Sequence, residues 1–388
     1  MKKKTGLILL CILMLSGCAQ PSAGAGVPEA TVSSPVSEAG ELSDAGNEDT
    51  FAGLKQTGRM DLRYAKEYEV SYYGDGLSLV DIHETGRYLI AEEGAAVPEG
   101  VPEDVAIIKK PLRHTYVAAT SVMDLYRQLG VLSNIQMTST KYEDWSIPEV
   151  REALENEDMF YVGKYGTPDF EFVLDCGCDL AIESTMIYHK PETKEKLEEL
   201  GIPVMVEHSS YEADPLGRLE WIKLYGLLND RLPEAESFFD GEEEKLTQIK
   251  NPSGEKKKTA FFALTPQGAV SVRKQDDYFV KMIEKANGEY VPKGDVSTIQ
   301  MESFVAGASD ADVLIYNSTV YDGPKDLEAL LAMNEALRDF KGVREGNVWC
   351  TDDDVFQRTT AICDIIREFN AVISGDAGDD TEYFFRLK

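Results

Sequence analysis

The chain has 388 residues, with 69 acidic and 39 basic side chains and a formal net charge of −30. A surface this anionic repels phosphate backbones, so nucleic acid is excluded as a partner. The length is sufficient for two domains, and the six cysteines are too few to staple a fold of this size, so a hydrophobic core must hold it together.

The first eighteen residues have the pattern of an export signal. Lys2, Lys3 and Lys4 precede the apolar stretch Gly6–Leu15, which is too short for a membrane-spanning helix of roughly 20 residues. The stretch ends in Leu15-Ser16-Gly17-Cys18, a lipobox. We expect residues 1–17 to be removed, and the similarity to bacterial lipoproteins implies that the Cys18 sulfur carries diacylglycerol.

An ordinary signal peptide with an incidental cysteine is the alternative interpretation of this segment. Under either interpretation the protein leaves the cytoplasm. The lipobox further predicts a location on the outer face of the cell membrane, where Cys18 is the lipid anchor and not a disulfide partner.

Residues 18–60 are predicted to be a disordered acidic tether. Between 19 and 54 the chain has six acidic residues and no lysine or arginine, among many Pro, Gly, Ser and Ala residues. A segment of this composition cannot bury a core.

Four cysteines remain outside these segments: Cys176, Cys178, Cys350 and Cys363. The Cys-Gly-Cys spacing is shorter than zinc sites usually have, and two further ligands are not close in sequence. Buried free thiols are therefore favoured over a metal or redox site, and whether any pair forms a disulfide stays open.

Residues 61–232 alternate short apolar runs with helical spacing, which predicts an α/β lobe. A β-rich segment is predicted before the lobe proper, with the strands Tyr68–Tyr73, Leu77–Ile82 and Arg87–Ala91. We expect it to form a β-meander at the sheet edge, because Gly74, Gly76 and Gly86 mark its bends. The lobe proper is predicted to contain the strands Tyr116–Ala119, Phe160–Gly163, Leu180–Ile182 and Val204–Glu207 and the helix Val122–Leu129.

A helix from Asp214-Pro215 to about Leu228 is expected to end this lobe, and a second, residues 233–250, leads to a boundary at Asn251-Pro252-Ser253-Gly254. The α/β pattern then restarts over 251–388. The strands predicted there are Ala260–Leu264, Val270–Val272, Val313–Tyr316 and Asn347–Cys350.

An internal echo relates the two lobes. In each one a glutamate, Glu171 or Glu302, starts a short helix that leads to an aspartate, Asp179 or Asp312, and a buried strand. Because the same elements follow in the same order, chance similarity is disfavoured.

These pieces, together with Leu200-Gly-Ile-Pro-Val and Gly346-Asn-Val-Trp349, resemble the iron-complex and cobalamin group of binding proteins that serve ABC importers. The resemblance covers roughly residues 64–385. It implies two α/β lobes, each with a central sheet flanked by helices, joined by the single helix 233–250, with a ligand cleft between them that closes modestly. It also implies a monomer without catalytic activity or cofactor, whose partners are a small ligand and an ABC permease with its ATPase.

In that family the glutamates equivalent to Glu171 and Glu302 dock onto the two halves of the permease. The ligand is expected outside the carboxyl ends of the strands. The residues predicted to bind it are Ser121, Trp145, Lys164, Tyr165, Glu183, Ser184, Arg273 and Asn317.

Two kinds of side chain in this set suit a particular ligand. Lys164 and, above all, Arg273 supply positive charge for an anionic chelate. Trp145 and Tyr165 can stack on a flat ligand. An iron complex of the siderophore type is therefore expected, with cobalamin or haem as alternatives.

Two other classes are disfavoured. A binding site for a bare metal ion usually contains several neighbouring histidines, but the four histidines are spread along the chain. The sequence contains no Gly-x-Ser-x-Gly elbow, no phosphate-binding glycine loop and no His-Glu-x-x-His helix, so these motifs give no indication of an enzyme.

The lipobox generates the first prediction. Replacing Cys18 with alanine should release the folded protein from the membrane, because the tether separates the anchor from the fold. Membrane fractionation checks this, with Cys11→Ala inside the signal as the matched control. A Cys18→Ala protein that stays in the membrane fraction would contradict the lipobox.

Overall fold

The computed structural model describes residues 50–247, 249, 256–318, 323–352 and 355–388. Its first part is a separate six-stranded sheet in which neighbours in sequence pair antiparallel, except that the last two strands are parallel. The strands are β1 (Thr50–Phe51), β2 (Leu54–Arg59), β3 (Tyr68–Tyr73), β4 (Leu77–Ile82), β5 (Gly86–Ala91) and β6 (Val105–Lys109).

The predicted meander is confirmed as β3–β5, but it belongs to this N-terminal sheet and does not extend the sheet of the first lobe. The prediction that the tether reaches residue 60 is wrong, since β1 and β2 lie within it. Pairing with β3 stabilises β2 although its sequence has little apolar character, which is why composition missed it. Residues 1–49, including Cys18, lie outside the described part of the chain.

The first lobe is a parallel sheet in the order β13-β12-β7-β8-β9 with helices between its strands. All four predicted strands are confirmed, Val204–Glu207 with its predicted ends and the other three with shifted ends, and β8 was missed. The elements are β7 (Thr115–Val117), α1 (Thr120–Gln128), β8 (Ile135–Thr138), α2 (Pro148–Glu155), β9 (Phe160–Tyr161), β10 (Gly163–Lys164), β11 (Thr167–Pro168), α3 (Phe170–Asp175), β12 (Leu180–Ser184), α4 (Pro191–Glu199), β13 (Val204–Glu207), α5 (Pro215–Glu220) and α6 (Ile222–Leu228).

Helix starts in this lobe follow from local chemistry. Asp169 and Asp214 accept hydrogen bonds from backbone amides at the starts of α3 and α5. Proline occupies the first turn of α2, α4 and α5, where its missing N–H costs nothing. The single helix predicted up to Leu228 is interrupted at Trp221, which separates α5 from α6.

The helix α7 (Leu232–Leu246) leads from the first lobe to the second. It was predicted to reach residue 250, but the structure ends it at Leu246, and residues 248 and 250–255 lie outside the described part. Ala235 and Phe239 are its fully buried apolar residues, so it packs on the core by a narrow stripe.

The second lobe is also built on a parallel sheet, in which β14 has β16 and β18 as parallel neighbours and β19 follows β18. The predicted strands are confirmed, and β16 was missed. The elements are β14 (Lys257–Leu264), β15 (Val270–Ser271), α8 (Tyr278–Lys285), β16 (Gly288–Val291), β17 (Thr298–Ile299), α9 (Met301–Ala308), β18 (Val313–Tyr316), α10 (Leu327–Met333), α11 (Lys341–Arg344), β19 (Val348–Thr351), α12 (Ile362–Ser374) and β20 (Phe384–Arg386).

The internal echo has a structural counterpart. Glu171 and Glu302 lie in the first turns of α3 and α9. The aspartate before the next strand accepts a 2.8 Å hydrogen bond from an amide of the neighbouring strand segment in both lobes, Asp179 from His114 and Asp312 from Lys258.

One apolar core is continuous through both lobes. The same cluster of buried residues includes Val80 of the N-terminal sheet, Ile182 of the first lobe and Phe261 and Phe369 of the second. Separation of the lobes would expose this surface to water, which costs free energy in proportion to area. The lobes are therefore expected to move little relative to each other.

Two buried glutamates fasten the N-terminal sheet to the first lobe. Glu220 accepts hydrogen bonds at 2.8 to 3.0 Å from the amides of Arg63, Tyr64 and Ala65, and one at 2.7 Å from the Lys223 ammonium. Its side chain is fully buried.

Glu212 acts in the same way on the next two residues. It binds the amides of Lys66 and Glu67 and the indole N–H of Trp221. A side chain at Gly217 would meet Glu212 at 2.9 Å and the Tyr64 carbonyl oxygen at 3.0 Å, so only glycine lets α5 approach so closely. We call the segment 63–67 with Glu212 and Glu220 the carboxylate clamp.

Replacing Glu220 with glutamine should lower the free energy of unfolding by about 2 to 4 kcal/mol at pH 7, because the Lys223 ammonium loses its buried partner. Burial alone would raise the pKa of Glu220, but Lys223 and the three amides outweigh it, so its pKa lies below the ordinary 4.5. This contribution is complete above pH 4.5 and is lost as the pH falls through the folded-state pKa.

Denaturant unfolding at pH 7 and below pH 4.5 checks this prediction. The matched control is Glu234→Gln, an exposed first-turn glutamate of α7. Equal stability of the two variants at pH 7 would show that the carboxylate clamp does not hold the sheet.

Candidate functional site

The strand order of the first lobe reverses between β7 and β12, so the crevice outside their carboxyl ends is the expected binding place. Three residues meet there. Ser184 lies opposite Glu207 in the register of β12 and β13, and the Ser121 hydroxyl is 3.4 Å from a Glu207 carboxylate oxygen. The structure thus brings together Ser121 and Ser184, as the sequence predicted, and adds Glu207.

Three residues predicted to bind ligand are buried. Trp145 is 2% exposed, belongs to the apolar core and donates its indole N–H to the Thr140 carbonyl oxygen. Asn317 is 3% exposed, and Glu183 is fully buried. These three side chains are thus buried in this conformation, and their direct contact with a ligand stays a prediction.

Glu183 lies one residue before the end of β12. Among the described residues no hydrogen-bond partner lies within reach of either carboxyl oxygen, nor of the Tyr116 hydroxyl. Burial raises the pKa of Glu183 to about 8, against a smaller lowering by Tyr116. The carboxyl group is therefore mainly protonated at neutral pH.

Lys164 and Tyr165 lie on the short hairpin of β10 and β11. Lys164 is exposed and Tyr165 half-buried. The hairpin turn packs on the start of α4, where the Thr193 hydroxyl donates to the Gly166 carbonyl oxygen. The binding role of Lys164 and Tyr165 stays a prediction.

The second lobe contacts the first through residues 357–360. The Thr359 hydroxyl donates to the Ser121 carbonyl oxygen at 3.1 Å. Asp124, fully buried on α1, accepts from the Thr360 amide at 2.8 Å and hydroxyl at 2.6 Å and pairs with Arg127. Gln357 accepts from the Ser146 amide. Ser121 thus lies at the boundary between the lobes.

A second interlobe contact joins Arg218 of α5 to Tyr278 of α8. The guanidinium carbon of Arg218 lies 4.7 Å from the centre of the Tyr278 ring. Arg218 is half-buried, and no carboxylate of the described residues forms an ion pair with it. Burial raises the pKa of Tyr278 to about 12, against smaller lowering effects of Arg218 and Arg273.

Arg273 therefore lies near Arg218, on the other side of the lobe boundary. Its guanidinium lies 5.2 Å from the Phe279 ring centre and 5.4 Å from that of Phe356, and 3.5 Å from an Asp277 carboxylate oxygen. Sequence reasoning identified Arg273 but missed Arg218.

Exposed apolar side chains follow β12 and β13. Met186, Tyr188 and Tyr211 are 47, 48 and 57% exposed. The His208 ring stacks on Tyr211 with 4.1 Å between ring centres and contacts Glu67 of the carboxylate clamp at 3.1 Å. We call Tyr188, His208 and Tyr211 the edge aromatics. Tyr188 and Tyr211 were missed because they lie on irregular turns without periodicity.

A cavity of about 670 Å³ lies elsewhere, beside α7. Its basic groups are neutralised, since Arg63 pairs with Asp240 and Glu243 and Lys285 pairs with Asp214. An anionic ligand gains little there, so we place the site at the strand ends.

Two further properties bear on the class of site. No group of three or more His, Cys, Asp or Glu side chains in the described ranges could hold a metal ion, and the four described cysteines are free. None of the described helices has the length and apolar character that crossing a membrane requires.

Two parallel-sheet lobes joined by one helix, with polar side chains gathered at the lobe boundary, define a two-lobed solute-binding protein. The family model described as periplasmic binding protein matches residues 117–355, more than half of the chain, and the chain belongs to that family. The resemblance inferred from the sequence is thereby confirmed. The matched range starts at the end of β7 and leaves out the N-terminal sheet.

The chain is also similar to two proteins of Methanocaldococcus jannaschii described as uncharacterized lipoproteins. One is 24% identical, covering 84% of this chain and 85% of the relative. The other is 23% identical, covering 84% and 87%.

Solved structures share the fold at low identity. A periplasmic haem-binding protein of Pseudomonas aeruginosa matches with a TM-score of 0.56 at 17% identity, covering 71% of this chain and 98% of that one. The catecholate-siderophore binding protein VctP of Vibrio cholerae matches with 0.55 at 12%, covering 68% and 95%. A periplasmic binding protein of Veillonella parvula matches with 0.56 at 14%, covering 80% and 98%.

The unpartnered Glu183 generates a stability prediction. Above pH 4.5 the unfolded chain ionises this group while the folded protein keeps it protonated, so wild-type stability falls as the pH rises towards about 8. Glu183→Gln cannot ionise, so its stability relative to wild type should rise by about 3 to 4 kcal/mol between pH 5 and pH 8. Thermal unfolding at both pH values checks this, with the exposed Glu195→Gln as control. A difference that does not change with pH would contradict it.

Proposed function

We propose that this protein captures an iron complex of the siderophore type outside the cytoplasm and delivers it to an ABC importer. The observation that carries the proposal is Arg218, a half-buried arginine at the lobe boundary with no carboxylate partner among the described residues. In a chain of net charge −30 an arginine left unpaired is available for an external anion.

The neighbourhood of Arg218 suits an anionic chelate with flat faces. Arg273, which pairs with Asp277 at 3.5 Å, is a second arginine near Tyr278. Tyr188 and Tyr211 of the edge aromatics offer exposed rings beyond the ends of β12 and β13. Catechol and other flat rings stack on such faces. The arginine guanidinium donates hydrogen bonds to carboxylate or phenolate oxygens.

The ligands of the structural relatives support the same chemical class, since one is described as binding haem and another a catecholate siderophore. Haem or cobalamin is the alternative cargo for the same site. A bare metal ion is less favoured, because the described residues provide no group of metal ligands. The family binds solutes and does not catalyse reactions, so we propose no catalytic residue.

The delivery role rests on the exported chain and its two exposed glutamates. Similarity to named lipoproteins supports Cys18 as the membrane anchor. Glu171 and Glu302 are exposed at equivalent positions of the two lobes. We infer that they pair with basic residues on the two halves of the permease, which sets docking rate and register. The protein acts in this scheme as a monomer.

Titration of the purified protein with a ferric tricatecholate, haemin and cyanocobalamin tests the ligand assignment. We expect the ferric tricatecholate to quench tryptophan fluorescence, and Arg218→Gln or Arg273→Gln to weaken its binding by about tenfold or more, since each removes a charge-assisted hydrogen bond. Arg338→Gln, an exposed arginine beyond α10, should bind as wild type does. Wild-type affinity of Arg218→Gln would overturn the site, and preference for haemin or cyanocobalamin would select the alternative cargo.

A further inference from the structure

Each lobe has a surface groove beside its exposed glutamate. The first groove, of about 400 Å³, is bordered by residues on both sides of Glu171, among them Phe160, Pro168 and Phe172. The second groove, also about 400 Å³, is bordered by residues around Glu302, among them Pro292, Ile299 and Ala306. Neither groove is part of the proposed ligand site, although Arg273 of that site lies at the inner border of the second groove.

The two grooves occupy equivalent places in the internal repeat. The two-residue strands β11 and β17 each end three residues before the glutamate of their lobe. In both lobes the last residue of that strand, Pro168 or Ile299, borders the groove, and so does the residue after the glutamate. The repeat therefore reproduces a carboxylate together with a neighbouring groove.

Both grooves have exposed apolar borders. Phe160 and Tyr161 of the first are 36 and 39% exposed, and Val296 of the second is 54% exposed. Phe160 packs edge-to-face on Phe172 with 5.3 Å between ring centres, so the groove has a rigid aromatic wall. In the described ranges β9 pairs with β8 alone, which leaves its outer edge uncovered. Apolar surface of this kind marks interaction sites.

We propose that the two grooves each receive an apolar side chain from one half of a two-fold symmetric membrane partner, next to the basic side chain that pairs with Glu171 or Glu302. The inference rests on the proposed function and deepens it. Two copies of one constellation on a single chain fit a partner that presents its own surface twice.

The carboxylates and the grooves make different contributions to docking. The charges attract and orient a basic surface over a distance, whereas buried apolar anchors supply most of the affinity of an interface. A partner side chain in each groove would cover the aromatic wall that the isolated protein leaves exposed. The partner surface is thus a basic residue beside a large apolar one, repeated by a two-fold axis.

Photo-crosslinking in membranes of the native host tests the contact without knowledge of the cargo. A benzophenone amino acid is placed at Tyr161 in the first groove, at Val296 in the second and, as control, at the exposed Met333 at the end of α10. We expect adducts from Tyr161 and Val296 to one integral membrane subunit of an ABC importer, and none from Met333. No adduct from the grooves, an adduct from one groove only, or equal adducts from all three would overturn the inference.

Filling the grooves tests their contribution. Thr167→Trp and Ala306→Trp occupy the first and second groove from exposed positions, and Ala332→Trp on the exposed side of α10 is the matched control. With the benzophenone at the groove that stays open, each filled variant should give about tenfold less adduct, whereas the control should not change. Unchanged adduct in both filled variants would overturn the inference.

A charge variant separates this inference from the docking role itself. Glu171→Arg with Glu302→Arg should abolish both adducts, whereas Glu192→Arg with Glu328→Arg, two other first-turn glutamates, should not. If the Glu171 and Glu302 variant crosslinks like wild type, the docking role of the proposed function fails. If it loses the adducts while the filled variants keep them, the groove inference alone fails.

Discussion

The continuous apolar core that runs through both lobes is the constraint on which the other features depend. It contains residues of the N-terminal sheet, the first lobe and the second lobe in a single buried cluster. Because opening the lobes would expose that cluster, the two sheets are held in a nearly constant relation. The carboxyl ends of their strands can then present a preformed site, and little binding free energy is consumed in ordering it.

The N-terminal sheet is an addition to this scheme. The family match begins at residue 117, yet the sheet is held to the lobe by buried carboxylates that accept five backbone amides of segment 63–67. The clamp also brings Glu67 against His208, which stacks on Tyr211 beside the proposed site. An added domain thereby reaches residues beside the proposed site, so the ligand of this protein can differ from those of family members without the domain.

Charge is distributed unevenly over the molecule. Beside α7, Arg63 and Lys285 are neutralised by close carboxylates. Arg218 differs because aromatic Tyr278, and not a carboxylate, is its neighbour across the lobe boundary. On the outer surface the pattern is the opposite, with exposed Glu171 and Glu302 at repeated positions. This distribution of charge is complementary to an anion between the lobes and to a basic partner surface outside them.

The sequence by itself determined the α/β class, the two lobes and the equivalent positions of Glu171 and Glu302, because local patterns and the order of elements indicate them. The export signal stays a prediction, since residues 1–49 lie outside the described part of the chain. Ser121, Ser184 and Arg273 also follow from the rule that ligands lie after strand ends. Tertiary structure alone decided that Trp145, Glu183 and Asn317 are buried and that Arg218 meets Tyr278. Exposure and pairing depend on which distant segments pack over a side chain, and neither periodicity nor spacing along the chain records that packing.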